Sequence, residues 1–399
     1  MPPVIRAEAK GGNEAGYRRC LGVVIISAGS IRPPEMPAAD AISISPAPAP
    51  RRVLIVLLGA IGDVVRAVPM LGRMRRAWPA AHIAWAVEPK ARPILDGHPW
   101  LDELVLYDRS RAPWTYPSFL RRIRAGRFDL VLDLQRHLKS GITSAASRAT
   151  VRYGFARGNT KEFNHLFSNR WIEPQPNMRL KLMQYQAFCD ALGLPPAPIE
   201  FGLAASDLEC AQVRAMLSDA PRPLLAVILG SSWPSRIYSA EATAAVIRAL
   251  AEGRPKLYPV LIGGPGETAL ASAVMRHLEG TPALNLAERT TLRHLIAIFS
   301  ECAVAFGPDS GPMHIAAAVG CPIVSLWGAT AAARSAPWGF ADYALSGAIP
   351  CAPCYLRECP IGGECMHRIA PADVAGAIRR ALAGQSGARS SAATREGTA

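Results

Sequence analysis

Positions 53–58 read VLIVLL, an unbroken apolar run that a glycine closes. Such runs form strands buried on both faces of a parallel sheet, where no side chain is left to face water. A Gly-Ala-Ile-Gly-Asp turn at 59–63 follows, and positions 64–78 then carry apolar residues at helical spacing. Further strands are predicted at 82–87, 104–107 and 130–134, with a basic helix at 119–125. The pattern then restarts. Helices at 180–192 and 207–217 lead to a second continuous apolar strand at 224–229, which ends in Gly230-Ser231-Ser232. Helices at 240–250, 268–278 and 292–299 alternate with strands at 259–262, 303–306 and 323–326, and a last helix at 371–382 opens on Pro371. Strands alternating with helices predict a parallel α/β fold, and the restart predicts two such halves with a boundary within 195–222. The expected organisation is a disordered arm at 1–50, a first domain at 51–205, a second at 206–383 and a disordered tail at 384–399. Met36 is an alternative start to Met1, because the folded pattern begins only at Arg51.

Length and composition agree with two domains: 399 residues, half of them hydrophobic, suit two cores better than one. The net charge of +13 favours anionic partners, namely phosphorylated ligands, an anionic membrane surface or nucleic acid. Nucleic acid is set aside, because neither a helix-turn-helix pattern nor an RNA-binding aromatic motif is present. No apolar run reaches the roughly 18–20 residues that span a bilayer. The run at 21–28, behind Arg18-Arg19, is too short and lies too late for a secretion signal. Most of the nine cysteines are isolated, which points to a reducing, cytoplasmic setting.

Four places carry candidate chemistry. The turn at 59–63 is not a dinucleotide fingerprint, since it lacks the GxGxxG spacing. It presents Asp63 as a general base, or as a helix cap. In the second half, Ser231, Ser232 and Arg236 form a plausible diphosphate grip, and Glu267 behind Gly263-Gly264 could meet ribose hydroxyls. The stretch 306–328, FGPDSGPMHIAAAVGCPIVSLWG, places Asp309-Ser310-Gly311 at a strand-to-helix junction with His314 in the first turn. A helix start there suits a phosphate, because its N–H groups are unpaired and the dipole end is positive. Cys351, Cys354, Cys359 and Cys365 have a C-x2-C-x4-C-x5-C spacing, which reads either as a structural zinc or iron site or as plain thiols.

Several of these segments resemble glycosyltransferase family 9, the heptosyltransferases of the lipopolysaccharide inner core. They are RRVLIVLLGAIGDVVRAVPMLGRMRRAWPAAHIAWAVEP, FDLVLDLQRHLKS, RYGF, GPDSGPMHIAAAVGCPIVSLWGAT and CAPCYLRECPIGGECM with IAPADV, spanning about 51–382. The resemblance implies a GT-B architecture, with two Rossmann-like domains whose parallel sheets face a central cleft. It implies acceptor binding in the first domain, nucleotide-sugar binding in the second, and a final helix returning to the first. Inverting transfer without a metal is implied, typically from ADP-heptose. Asp63 would be the base, with Ser231, Ser232, Arg236, Glu267, Asp309, Ser310, Gly311 and His314 around the donor. Gly62, Gln135 and Lys139 would lie on the acceptor side. Arg236 stands where the family usually has lysine. The implied partners are a nucleotide-sugar donor and a lipid-linked or lipopolysaccharide-type acceptor at the cytoplasmic face of the inner membrane. Apart from the resemblance, Arg121, Arg122, Arg124 and Arg127 could face anionic lipid or the acceptor's phosphates, or form a solvated helix face. Other sugars, for capsule, O-chain or protein glycosylation, and a non-catalytic nucleotide-sugar-binding subunit are the alternatives.

Overall fold

The computed structural model describes residues 49–111 and 113–396, with side chains as far as residue 384. The expected arm and the choice of start codon lie almost wholly outside these residues. The first half runs β1 (Arg52–Val56), α1 (Ile61–Ala67), α2 (Pro69–Ala77), β2 (His82–Val87), α3 (Arg92–Leu95), β3 (Glu103–Leu106), α4 (Tyr116–Ala125), β4 (Leu130–Asp133), α5 (Leu138–Ala146), β5 (Val151–Gly154), β6 (Arg170–Trp171) and α6 (Lys181–Ala191). The second runs α7 (Asp207–Met216), β7 (Leu224–Ile228), α8 (Ala240–Ala251), β8 (Tyr258–Ile262), α9 (Thr268–His277), β9 (Leu284–Asn285), α10 (Leu292–Glu301), β10 (Cys302–Pro308), α11 (Gly311–Ala318), β11 (Ile323–Trp327), α12 (Ala332–Ser335), β12 (Ala344–Ser346), α13 (Glu364–His367) and α14 (Pro371–Glu396).

Each half holds one six-stranded parallel sheet, in the order β3-β2-β1-β4-β5-β6 and β12-β11-β10-β7-β8-β9. The continuous apolar strands are central: β7 is buried throughout, and in β1 only Arg52 is partly exposed. The strands that the sequence pattern does not show, β5, β6, β9 and β12, are two to four residues long and contain no fully buried run. Helix α6 packs on α1 and α2 of the first half, and α7 packs on α10 of the second. One apolar cluster runs from Val53 and Ile55 of β1 through to Leu224, Met313 and Trp327, so the two halves share a core.

Residues 384–396 continue α14 as helix. One expectation about the C-terminus is corrected: that helix packs on the second half and not on the first. Val374, Ala377, Ile378 and Ala381 are buried with Val246, Leu250, Val304 and Val324, and α14 packs mainly on α8, β10 and β11. Its apolar stripe matches the outer face of the second sheet, which would otherwise be open to water.

Candidate active site

In a doubly wound sheet the chain turns opposite ways from two neighbouring strands, and a crevice opens at their carboxyl ends. The first sheet reverses between β1 and β4, so the turns after Val56 and Asp133 border its crevice. The first of these turns is strained. Ala60, which precedes α1, has φ 56° and ψ 117°, a region that L-residues avoid. The bend lets the Ala60 carbonyl accept from the backbone N–H of Asp63 at 3.0 Å and sets the Asp63 side chain in the crevice. The cavity there measures about 170 Å³.

Asp63 is held by two cations. Arg66, one turn along α1, donates to Oδ1 at 2.6 Å, and Lys181, which opens α6, donates to the same oxygen at 2.8 Å. Burial alone would raise the Asp63 carboxyl, but Lys181 and Arg66 outweigh it and keep the carboxyl far below the usual carboxylate range. The group is ionised at every ordinary pH. Tyr185 adjoins it from α6, and burial pushes that phenol well above its usual value, so it stays a hydrogen-bond donor.

The rest of this cavity is strongly cationic. Arg136, Lys161, Lys181 and Arg334 line it, with Gln135 and Gln184 between them, against the single carboxylate of Asp63. Arg136 stacks on Phe155 at 4.2 Å and donates to Gln184. Its loop is anchored from below by Asp133, which is fully buried. That carboxyl accepts from Gln135 N at 3.0 Å, Ser140 Oγ at 3.1 Å and Asn164 Nδ2 at 2.8 Å. Lys161 N then donates to the Arg136 carbonyl at 2.7 Å, bringing the loop between β5 and β6 up to the cavity. Of the residues expected on the acceptor side, Gln135 lines the cavity and Lys139 does not. Lys139 Nζ reaches the Tyr107 hydroxyl at 3.3 Å and lies over that ring at 5.0 Å, because the second residue of α5 faces β3 and α4.

The second sheet reverses between β7 and β10, and the expected donor residues gather there. Ser231 Oγ donates to the Asp309 carbonyl at 2.8 Å across that reversal. The Asp309 carboxylate accepts from Thr330 Oγ1 at 2.7 Å and pairs with Arg236 at 3.0 Å. Arg236 lies 3.9 Å over the Trp233 ring, so its fork is fixed on two sides. The Ser310 hydroxyl, at the start of α11, is buried with no partner among the described residues. Glu267 reaches back to Gly264 N at 2.6 Å and lies beside Gly230, at the ends of β7 and β8. Ser232 is exposed on the same loop.

The two crevices meet. A Cβ on Gly62 would come within 2.8 Å of His314 Cδ2, and one on Gly311 within 2.9 Å of Ile61 Cγ2, so α1 and α11 touch only because both positions are glycine. Gly62 therefore serves the contact between the halves. His314 faces the first half, with Nε2 2.6 Å from Arg66 Nη1. Burial, and then the Arg66 charge, hold this imidazole well below its ordinary value, so it is neutral and accepts from the guanidinium.

The family model described as glycosyltransferase family 9 (heptosyltransferase) matches residues 117–364, more than half of the chain. The chain belongs to glycosyltransferase family 9. It is thus a glycosyltransferase, and its two facing parallel sheets are the GT-B fold. Among its family 9 relatives, the lipopolysaccharide core heptosyltransferase OpsX of Haemophilus influenzae is 26% identical over 300 residues, covering 75% of this chain and 85% of the relative. The family 9 glycosyl transferase of Veillonella parvula has the same fold, with TM-score 0.70 and 21% identity over 84% of this chain and 97% of that one. The E. coli heptosyltransferase WaaC, solved with ADP-2-deoxy-2-fluoro heptose, gives TM-score 0.64 and 19% identity over 82% of this chain and 99% of that one.

Of the two readings of the clustered cysteines in this family 9 chain, a structural zinc or iron site or plain thiols, the described residues show the thiols unpaired with one another and not gathered as a metal site. Cys351 is exposed, Cys354 and Cys359 are half-buried and Cys365 is buried. Burial raises the Cys365 thiol, and the neighbouring Cys359, Cys354 and Cys351 raise it further. Among the described residues no three histidine, cysteine or acidic side chains converge as a metal site would require. Other residues of the site are not legible in the sequence. Lys161, Lys181 and Arg334 come from segments with no motif of their own. Arg66 was legible in principle, as a cation three residues beyond Asp63 on one helix face.

Proposed function

We propose that this family 9 enzyme transfers heptose from ADP-heptose, with inversion and without a metal, to a lipopolysaccharide-type acceptor. The acceptor would carry an anionic group near the accepting hydroxyl. The reading rests on one observation: an ionised Asp63 in a cationic crevice, joined through Arg66 to the helix that opens at Asp309-Ser310-Gly311. The acceptor hydroxyl would attack the anomeric carbon from the side opposite the diphosphate and pass its proton to Asp63. Such a strongly stabilised carboxylate is a weak base, so the proton moves late, when the attacking oxygen has become acidic. The charge that develops on the departing ADP would meet Arg236, the unpartnered Ser310 hydroxyl and the first N–H groups of α11. A double displacement would need a second carboxylate as nucleophile, whereas Asp309 already holds Arg236 and Thr330. Arg136, Lys161, Lys181 and Arg334 would bind the acceptor's carboxylate or phosphate groups.

The division of labour follows the two sheets, with acceptor binding in 51–205 and donor binding in 206–383. Among the described residues no helix is long and apolar enough to cross a membrane. Contact with an anionic bilayer at its cytoplasmic face would fall to Trp114, which is 87% exposed, and to the exposed Arg121, Arg122, Arg124 and Arg127 of α4 and its end. Sedimentation with phosphatidylglycerol vesicles, but not with phosphatidylcholine vesicles, tests that contact.

The decisive experiment is a thermal-shift panel of ADP-, UDP- and GDP-sugars, followed by transfer to a truncated lipopolysaccharide acceptor in the presence of chelator. A shift with ADP-heptose and transfer that survives chelation support the reading. A shift with UDP- or GDP-sugars alone would replace the donor, and loss of transfer on chelation would end the metal-free mechanism.

A further inference from the structure

Arg66 touches both the proposed base and the donor half. It lies 7% exposed between them, with Nη2 2.6 Å from Asp63 Oδ1 and Nη1 2.6 Å from His314 Nε2. The same Nη1 lies 3.4 Å from the carbonyl of Ser335 in α12, so two elements of the second half accept from one guanidinium. Neither Asp63 nor His314 holds the other directly. Lys181 fixes the Asp63 charge from within the first half, so Arg66 is not needed merely to keep the carboxylate ionised. A planar fork is needed to reach both partners, and a lysine, a point charge on a flexible stem, satisfies only one at a time. Gly62 and Gly311 allow the close approach that brings the fork to His314.

We infer that Arg66 is a positioning residue that couples the two halves: it orients the proposed base through Asp63 and registers closure over the donor helix through His314. The base is then correctly placed only when the halves are shut, which withholds transfer from an open cleft. The inference rests on the proposed role of Asp63 in transfer.

The test compares Arg66→Lys, His314→Gln, His314→Leu and the double variant Arg66→Lys/His314→Leu in the full chain. Transfer is measured with ADP-heptose and acceptor, and the radius of gyration by small-angle scattering. Arg66→Lys and His314→Leu should each lower kcat about 10- to 100-fold while KM for either substrate moves less than about threefold, since positioning acts on the reacting geometry. Glutamine offers an amide oxygen to Arg66 and should recover most of what leucine loses. The double variant should be no slower than the slower single variant. Arg66→Lys and His314→Leu should also scatter with a larger radius than wild type. Wild-type kcat in Arg66→Lys, equal losses in the glutamine and leucine variants, or singles that multiply in the double would each overturn the coupling. Should Arg66→Lys not fold, the glutamine–leucine contrast decides alone. A wild type that transfers no heptose refutes the function reading, and the coupling then stands or falls on the scattering comparison.

Discussion

Asp63 bears two opposing demands. Its ion pairs with Lys181 and Arg66 organise the first crevice, and the same pairs make it a poor proton acceptor. Asp63→Asn keeps the shape and removes the charge, so transfer should fall at least about 100-fold, the usual contribution of a positioned general base. ADP binding, measured by calorimetry, should be unchanged. Near-wild-type transfer by the variant would remove Asp63 from the chemistry. Because the carboxyl lies far below the usual range, the wild-type rate should also show no acid limb from this group between pH 5 and 9. The motif was legible because glycines flank the acid in a short turn after a buried strand. Its second cation was not, since Lys181 lies 118 residues further on. That Lys139 lies over Tyr107 was not legible, because sequence proximity to Gln135 does not show which way α5 turns its second residue.

At the scale of elements, two features govern how loops and helices seat. The first is Asp133 beneath the β4 loop. Burial pushes its carboxyl up to about 7, against the three hydrogen bonds that it accepts. An acid whose folded value exceeds its unfolded value of about 3.9 binds its proton more tightly when folded. This contribution to stability therefore falls as pH rises from about 4 to about 7, and no further above that. His314 has the opposite sign, since a depressed histidine loses stability as pH falls below about 6.5, and the two slopes partly cancel in the wild type. Asp133→Asn should unmask the His314 slope, so that urea unfolding shows the variant more acid-sensitive than wild type between pH 7 and 5. Identical pH profiles would contradict the buried-acid assignment. The second feature is the contact of α1 with α11. Gly62→Ala would press on His314 and should lower stability by about 1–3 kcal/mol, as overpacking does, with a measurable fall in Tm. An unchanged Tm would mean that the halves separate freely. The central strands could be read from sequence because both their faces are buried. β5, β6, β9 and β12 could not, because at two to four residues without a fully buried run they lack a pattern, and the docking side of α14 depends on a sheet face assembled from distant segments.

The whole molecule is two doubly wound sheets whose reversal points face each other, with a shared core behind them. Repetition of the strand–helix pattern showed that there would be two halves. It did not show that Arg334 of the second half would complete a cavity of the first. That cavity needs residues from both halves, so it exists in full only when they are together. Its surplus of positive charge has a practical consequence for handling the enzyme. Sulfate, phosphate and citrate are small multivalent anions that should settle among Arg136, Lys161, Lys181 and Arg334 and compete with the acceptor. Rates taken in phosphate buffer should therefore be lower than in a zwitterionic buffer of equal ionic strength, through a higher acceptor KM at constant kcat. Equal rates in the two buffers would show that these cations attract nothing. For the same reason a polyanion suits an inhibitor of this face by charge.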